Sequence, residues 1–158
     1  MRKIEFRGKR DDGEWLFGSL VDFGDFKCIW SVGADFFKLV ERDRKINPEY
    51  IVDSKTIGQY TGLKDTNSVK IYEGDLLLIH QFLFEGTEIE KEFKGYVVYI
   101  EESACFGVKV TEQMDNFFLQ HTGCETLAEL DPFSFSELYG LHEESFRIIG
   151  NVHTSTNA

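Results

Sequence analysis

The chain has 158 residues, 42% of them hydrophobic and 15% aromatic, so it can bury a core without metal or disulfide support. Its 28 Asp and Glu against 17 Lys and Arg give a formal net charge of −11, which disfavours broad attraction to nucleic acid or an anionic membrane. No stretch approaches the roughly 20 apolar residues that span a bilayer, and three widely spaced cysteines are typical of reduced thiols, so we expect a cytoplasmic protein.

The N-terminal residues predict an antiparallel β meander. The turn-forming residues 11–13 separate the β-rich run Lys3–Arg10 from Glu14–Val21, and residues 22–25 separate this second run from Phe26–Val32. The core candidates of this meander are Trp15, Phe17, Phe26, Ile29 and Trp30.

The middle of the chain predicts a second group of strands. Residues 64–68 are typical of a tight turn, and in Glu73-Gly74-Asp75 an acceptor side chain and a glycine favour another turn. Three strands follow, at Leu76–Phe84, Phe93–Ile100 and Phe106–Val110. A turn, a long strand and two more strands in succession are the parts of a small SH3-like barrel.

The C-terminal part predicts one or two short helices, in residues 112–119 and 126–139, and a final strand in residues 146–152 that pairs back into the sheet. The expected fold is therefore mainly β. We expect an N-terminal β-rich subdomain over residues 1–58 and an SH3-like β roll with a helical insert and a C-terminal strand over residues 59–158.

Three parts of the chain resemble the YopX family of phage and prophage proteins. They are IEFRGKR with GEWLFGSL in residues 4–20, TIGQYTGLKD with IYEGD in residues 56–75, and IIGNV in residues 148–152. The family commonly has Asn-Gly where this chain has Asn67-Ser68, which leaves the turn type open but keeps the hairpin. The resemblance implies a β-rich fold with an SH3-like roll and an origin in a bacteriophage or integrated element. It implies no catalytic residue.

The sequence contains no pattern typical of catalysis, cofactor binding or metal binding. His121 and Cys124 form a close pair without a second pair, and His142-Glu143-Glu144 has Phe146 where a second metal-binding histidine belongs. Cys105 is interpreted as a buried small hydrophobe, while Glu73 and Asp75 are expected to fix their turn by hydrogen bonds to backbone N–H groups. We therefore expect no enzyme, no cofactor and no metal.

The candidate binding residues are the cations of the first predicted hairpin, Arg7, Lys9 and Arg10. Cations interleaved with aromatic residues on a β-ribbon can hold single-stranded nucleic acid through phosphate contacts and base stacking. In the alternative, the aromatic side chains face inward and the cations pair with acidic neighbours, which the net charge favours. The aromatic residues are Phe6, Trp15 and Phe17, and the acidic neighbours are Asp11, Asp12 and Glu14.

The leading functional hypothesis is a non-enzymatic protein-interaction module of a phage or prophage. Its partner would be a host factor or a second copy of the chain, which would make a homo-oligomer. Nucleic-acid binding through the basic hairpin is one alternative. Another is an acidic nucleic-acid mimic, because residues 80–158 carry four Lys and Arg against 14 Asp and Glu.

Overall fold

The computed structural model describes residues 3–31, 45–84, 88–101, 104–113, 124–126 and 146–154. These residues are mainly β, and the strand pairs with a described register are antiparallel. The strands are β1 (Phe6–Lys9), β2 (Trp15–Asp22), β3 (Lys27–Trp30), β4 (Ile51–Lys64), β5 (Lys70–Tyr72), β6 (Asp75–Phe84), β7 (Glu88–Ile100), β8 (Cys105–Gln113), β9 (Cys124–Thr126) and β10 (Phe146–Asn151). A 3-10 helix, Pro48–Tyr50, precedes β4.

The first compact unit, Met1–Gly62, contains the predicted meander. The turns form as their residues predict: Asp12 accepts the Glu14 N–H at 3.0 Å, and Asp22 accepts the Gly24 N–H at 2.8 Å. β4 then pairs with both β3 and β1, so the ladder β1-β2-β3-β4 closes on itself. The meander is confirmed.

The core predicted for this unit is only partly correct. Ile29 is fully buried, but Phe17 is 46% exposed. Gly8 and Gly18 lie on the opposite face of the hairpin, where added Cβ atoms would lie 2.8 Å from Val52 Cγ2 and 1.9 Å from the Trp30 carbonyl oxygen. The alternate residues of the hairpin, including Phe17, lie on the other face, away from these close contacts.

The second compact unit, Leu63–Ala158, holds an antiparallel sheet in the order β10-β6-β7-β8-β9. Alternation along β6 places Leu77 and Ile79 in the core, and β10 pairs with β6 as predicted. Its core cluster consists of Ile71, Leu77, Ile79, Val97, Phe106, Val108 and Phe146, with Leu63 and Ile148 packed against it.

Two expectations for the second unit have different outcomes. The SH3-like roll stays a prediction. The structure shows antiparallel sheets, and it does not establish that they close into a roll. The predicted helices lie largely outside the described residues, which contain no α-helix. Where the helical ranges overlap described strands, at residues 112, 113 and 126, the helical prediction is wrong. Glu112 and Gln113 pair across the sheet with Lys94 and Phe93 of the long strand β7.

The division into Met1–Gly62 and Leu63–Ala158 lies near the boundary expected between residues 58 and 59.

Within the described part of the chain, no helix is long and apolar enough to cross a membrane.

Candidate functional site

The hairpin β1–β2 brings the predicted cations and aromatic residues together on one face. Its register places Arg7 opposite Phe17 and Lys9 opposite Trp15. Directly opposite residues of an antiparallel pair share a face, and so do alternate residues of each strand. We call Arg7, Lys9, Trp15 and Phe17 the hairpin face.

The Trp15 ring lies beside two of the cations. The guanidinium carbon of Arg7 is 4.8 Å from the ring centroid, and Lys9 Nζ is 5.9 Å from it. Each such contact stabilises the arrangement by about 0.5–1 kcal/mol at an exposed site and by more where water is excluded. Arg7 is only 8% exposed. The hairpin face is therefore an ordered surface in which the Arg7 side chain is buried and Phe17 is half-exposed.

Arg10 has a different environment, at the start of the β1–β2 turn. Its guanidinium forms ion pairs with Asp12 and, at 3.7 Å, with Glu14. The hydrogen bond from the Glu14 N–H, together with the Arg10 guanidinium, lowers the pKa of Asp12 below its ordinary value. The alternative in which the cations meet acidic neighbours thus describes Arg10 correctly. Arg7 and Lys9 contact an aromatic ring.

Sequence reasoning missed two buried polar residues that lie beside the hairpin face. The Tyr60 N–H donates to the Glu5 carbonyl at 2.8 Å, and Lys3 Nζ lies 2.6 Å from the buried Glu5 carboxylate. Burial and the nearby Glu5 carboxylate raise the pKa of Tyr60, while Lys3 acts in the opposite direction. The alternation of Glu5 with Arg7 along the chain indicates that the two side chains share a face. Their burial could not be predicted from it, because that burial depends on the pairing of β1 with β4.

We call the three segments that resemble the YopX family, in residues 4–20, 56–75 and 148–152, the signature segments. In the second unit, the buried carboxylate of Asp75 joins the last two of them. Asp75 is 2% exposed; its Oδ2 accepts the Tyr72 N–H at 2.8 Å and its Oδ1 accepts the Asn151 Nδ2 at 3.1 Å. Gly74 precedes Asp75 in this turn and has φ +87°. Its N–H donates to the Val97 carbonyl. Asp75 fixes its turn as predicted, and Asn151 is a partner that sequence reasoning missed.

Asp65 has the same kind of role in the turn between β4 and β5. Its Oδ1 accepts the N–H groups of Asn67 and Val69, both at 2.9 Å, and its Oδ2 accepts the Ile148 N–H at 3.4 Å. Ser68 adopts φ +62° at the position where a glycine is common in the resembled family. The carboxylates of Asp65 and Asp75 therefore bind backbone and amide N–H groups of the same chain.

The remaining candidates fall outside what the structure describes or show no grouping. Residues 121 and 142–144 and the side chain of Cys124 lie outside it. Among the described residues, no three His, Cys, Asp or Glu side chains are grouped as metal ligands. Cys28 and Cys105 are free thiols, and Cys105 is only partly buried, which differs from its predicted burial.

The net charge belongs to one unit. Residues 1–62 contain eleven Lys and Arg and eleven Asp and Glu, whereas residues 63–158 contain six and 17, so the second unit carries the whole −11. The hairpin face therefore lies on an electrically balanced unit, and the acidic character lies elsewhere.

Comparison with known proteins assigns the chain to a family. No curated protein matches it. The family model for the YopX protein matches residues 5–157, nearly the whole chain, and covers the three signature segments except for Ile4. The chain therefore belongs to the YopX family.

Proposed function

We propose that this protein is a non-enzymatic protein-interaction module and that the hairpin face is its contact surface. The observation that carries the proposal is the half-exposed Phe17 beside Trp15, whose ring contacts Arg7 and Lys9. Aromatic residues and arginine are the types that supply most of the binding energy in protein interfaces.

The rigidity of the surface supports the same function. β1 lies between β2 and β4, so both of its edges are hydrogen-bonded, and the Lys9 N–H also donates to Thr56 Oγ1 at 2.8 Å. A surface already ordered in the free protein loses little conformational entropy on binding. The hairpin face thus has both the composition and the order expected of a contact surface.

The positions of the cations favour a protein partner over a nucleic acid. A phosphate contact needs a cation that reaches solvent, but Arg7 is buried and Arg10 is paired with two carboxylates. The carboxylates of Asp65 and Asp75 already accept hydrogen bonds from their own chain, which supports a non-enzymatic role for these two residues.

The partner we propose is a host factor or a second copy of the chain, with the protein acting in the cytoplasm and originating in a bacteriophage or prophage. The SH3-like roll of the second unit is part of the proposed architecture, and the proposed function rests on the hairpin face and not on that fold.

Affinity purification from bacterial lysate tests the contact surface when wild type is compared with two matched variants. Phe17→Ser removes the exposed ring of the hairpin face, while Phe23→Ser removes a ring of similar exposure, 42%, that stacks on Phe26. We expect Phe23→Ser to retain the partner and Phe17→Ser to lose at least about 30-fold in affinity, as hot-spot residues do.

Sedimentation of the same three proteins reports on the second-copy alternative. Equal capture by both variants, with unchanged self-association, would contradict the assignment of the hairpin face. Failure of the folded wild type to retain any protein, combined with a monomeric state, would contradict the proposed function itself.

The two alternative functions have separate tests. Nucleic-acid binding through the basic hairpin predicts a gel shift that weakens with salt and is lost in the Arg7→Ala/Lys9→Ala/Arg10→Ala variant. Mimicry by the acidic second unit predicts that DNA competes with this protein for the captured partner.

A further inference from the structure

The hairpin face holds two cations at different depths. Arg7 is 8% exposed, whereas Lys9 is only half-buried, although both lie on β1 and share a face. A buried charged group costs free energy unless contacts within the protein compensate for the lost water. The Arg7 side chain is therefore held in the protein by specific contacts, and one of them is with the Trp15 ring.

The contact between Arg7 and Trp15 runs diagonally across the hairpin. The register sets Trp15 opposite Lys9 and Phe17 opposite Arg7, so Arg7 is the diagonal neighbour of Trp15. Diagonal neighbours are about 7–8 Å apart along the backbone, a distance that a long side chain spans. The Arg7 guanidinium carbon nevertheless lies closer to the ring centroid than Lys9 Nζ does, at 4.8 Å against 5.9 Å. The closer cation is thus the buried one.

The chemistry of this contact is specific to arginine. Of the two residues directly opposite Arg7, Gly58 of β4 has no side chain and Phe17 of β2 carries an aromatic ring. A planar guanidinium stacks on an aromatic face in a way that the ammonium group of lysine does not. A cation–π contact is also stronger where water is excluded. Lysine at position 7 should therefore not preserve the contact.

Trp15 is the residue through which Arg7 can affect binding. Trp15 and Phe17 are alternate residues of β2, so both side chains belong to the proposed contact surface. Phe17 is 46% exposed and can meet a partner directly, whereas Arg7 has almost no exposed surface to offer. A ring that is already held in one orientation loses less conformational entropy on binding than a ring that rotates freely.

We infer that Arg7 is the positioning residue of the hairpin face, because its buried guanidinium fixes the Trp15 ring in the orientation that a partner protein meets. Arg7 acts through Trp15 and not through a contact of its own with the partner. The inference rests on the proposed function, but the fixed ring is a property of the free protein and can be measured without a partner.

The test follows the Trp15 ring in the free protein. The chain has two tryptophans, so every protein carries Trp30→Phe, which leaves Trp15 as the fluorophore. Arg7→Met keeps the length of the side chain without the planar cation, and Arg7→Lys keeps only the charge. The matched control, Arg10→Met, removes a guanidinium that pairs with carboxylates. Acrylamide quenching of fluorescence measures access to the ring, and urea unfolding measures stability.

We expect quenching of Trp15 to become at least about twofold more efficient in both Arg7 variants and to stay unchanged in Arg10→Met. An Arg7 that is merely structural would change the free energy of unfolding and leave quenching of the folded protein unchanged, which would overturn the inference. If the Arg7 variants do not fold, Trp15→Leu decides alone. Loss of the ring should then shift the NMR resonances of the Arg7 δ-methylene protons downfield, and unchanged resonances would overturn the inference.

The consequence for binding is measured on the protein that the wild type captures in affinity purification. Arg7→Lys, in the otherwise wild-type chain, should weaken binding by at least about fivefold, and Arg10→Met should bind as the wild type does. Undiminished binding by Arg7→Lys would overturn the positioning role and leave the proposed contact surface intact. Capture that Phe17→Ser does not weaken would instead contradict the assignment of the hairpin face itself.

Discussion

Exchanging the partners of the partly buried Asp75–Asn151 hydrogen bond tests the role of the signature segments. In the wild type, Asp75 accepts from both the Tyr72 N–H and Asn151 Nδ2, while Asn151 Oδ1 accepts the His153 N–H at 2.8 Å. Asp75→Asn replaces one carboxylate oxygen with an amide NH₂ group. This new donor then faces Asn151 Nδ2, which is also a donor. An unsatisfied buried group costs about 1–3 kcal/mol, so we expect a loss in that range.

The reciprocal change, Asn151→Asp, places a second carboxylate against Asp75. It removes a hydrogen bond to a charged group, worth about 1.5–3 kcal/mol, and adds repulsion between two acids. We expect a loss of about 3 kcal/mol, a large part of the 5–15 kcal/mol typical of a domain.

The double variant Asp75→Asn/Asn151→Asp should recover most of the lost stability. The new amide at position 75 can accept the Tyr72 N–H and donate to the new carboxylate at position 151, which still accepts the His153 N–H. Urea unfolding of the four proteins gives the coupling energy, which we expect to reach at least about 2 kcal/mol.

Asn47→Asp is the matched control for this cycle. Asn47 caps the 3-10 helix by accepting the Glu49 N–H at 3.0 Å, and aspartate serves equally well there, so its effect should stay within about 0.5 kcal/mol. A double variant whose loss equals the sum of the single losses would refute the paired geometry.

Three further predictions concern individual residues. Ser68→Gly should raise the free energy of unfolding by up to about 1 kcal/mol, because φ +62° strains a residue with a Cβ; chemical denaturation measures it. Burial raises the pKa of the Cys28 thiol, so it should be alkylated more slowly than Cys105, as mass spectrometry of labelled peptides reports. The Lys27 ammonium and then the Gly24 N–H lower the pKa of Asp22, so its carboxyl should titrate by NMR below 3.8, and its contribution to stability should be lost as pH falls through that lowered pKa.

Each of these predictions has a control. Ser54→Gly, in strand β4, should destabilise the protein, and equal effects at the two serines would exclude relief of strain. Alkylation should become equally fast at both thiols in urea, and equal native rates would contradict the burial of Cys28. Lys27→Met should raise the titration midpoint of Asp22, and an unchanged midpoint would show that the ion pair does not form in solution.

The strands and hairpins could be predicted because their signals are local. The acceptor side chains of Asp12 and Asp22 and the glycines that follow fix two turns within a few residues of sequence. The burial of Arg7 could not be predicted, since alternation along β1 gives its face but not what covers that face. The contact between Asp75 and Asn151 spans 76 positions, and no local pattern specifies such a pair.

The signature segments are recognisable in sequence because several distant groups must satisfy one another. Asp75 meets Asn151, and Asp65 meets Ile148, so two partly buried hydrogen bonds join segments from the two ends of the second unit. Loss of any one partner would leave a buried donor or acceptor without a hydrogen bond. The folded protein would then carry the full free-energy cost of desolvating that group. This requirement explains why recognition of the family identifies architecture more readily than activity. The contact surface proposed above is a separate question, which the Phe17→Ser variant tests.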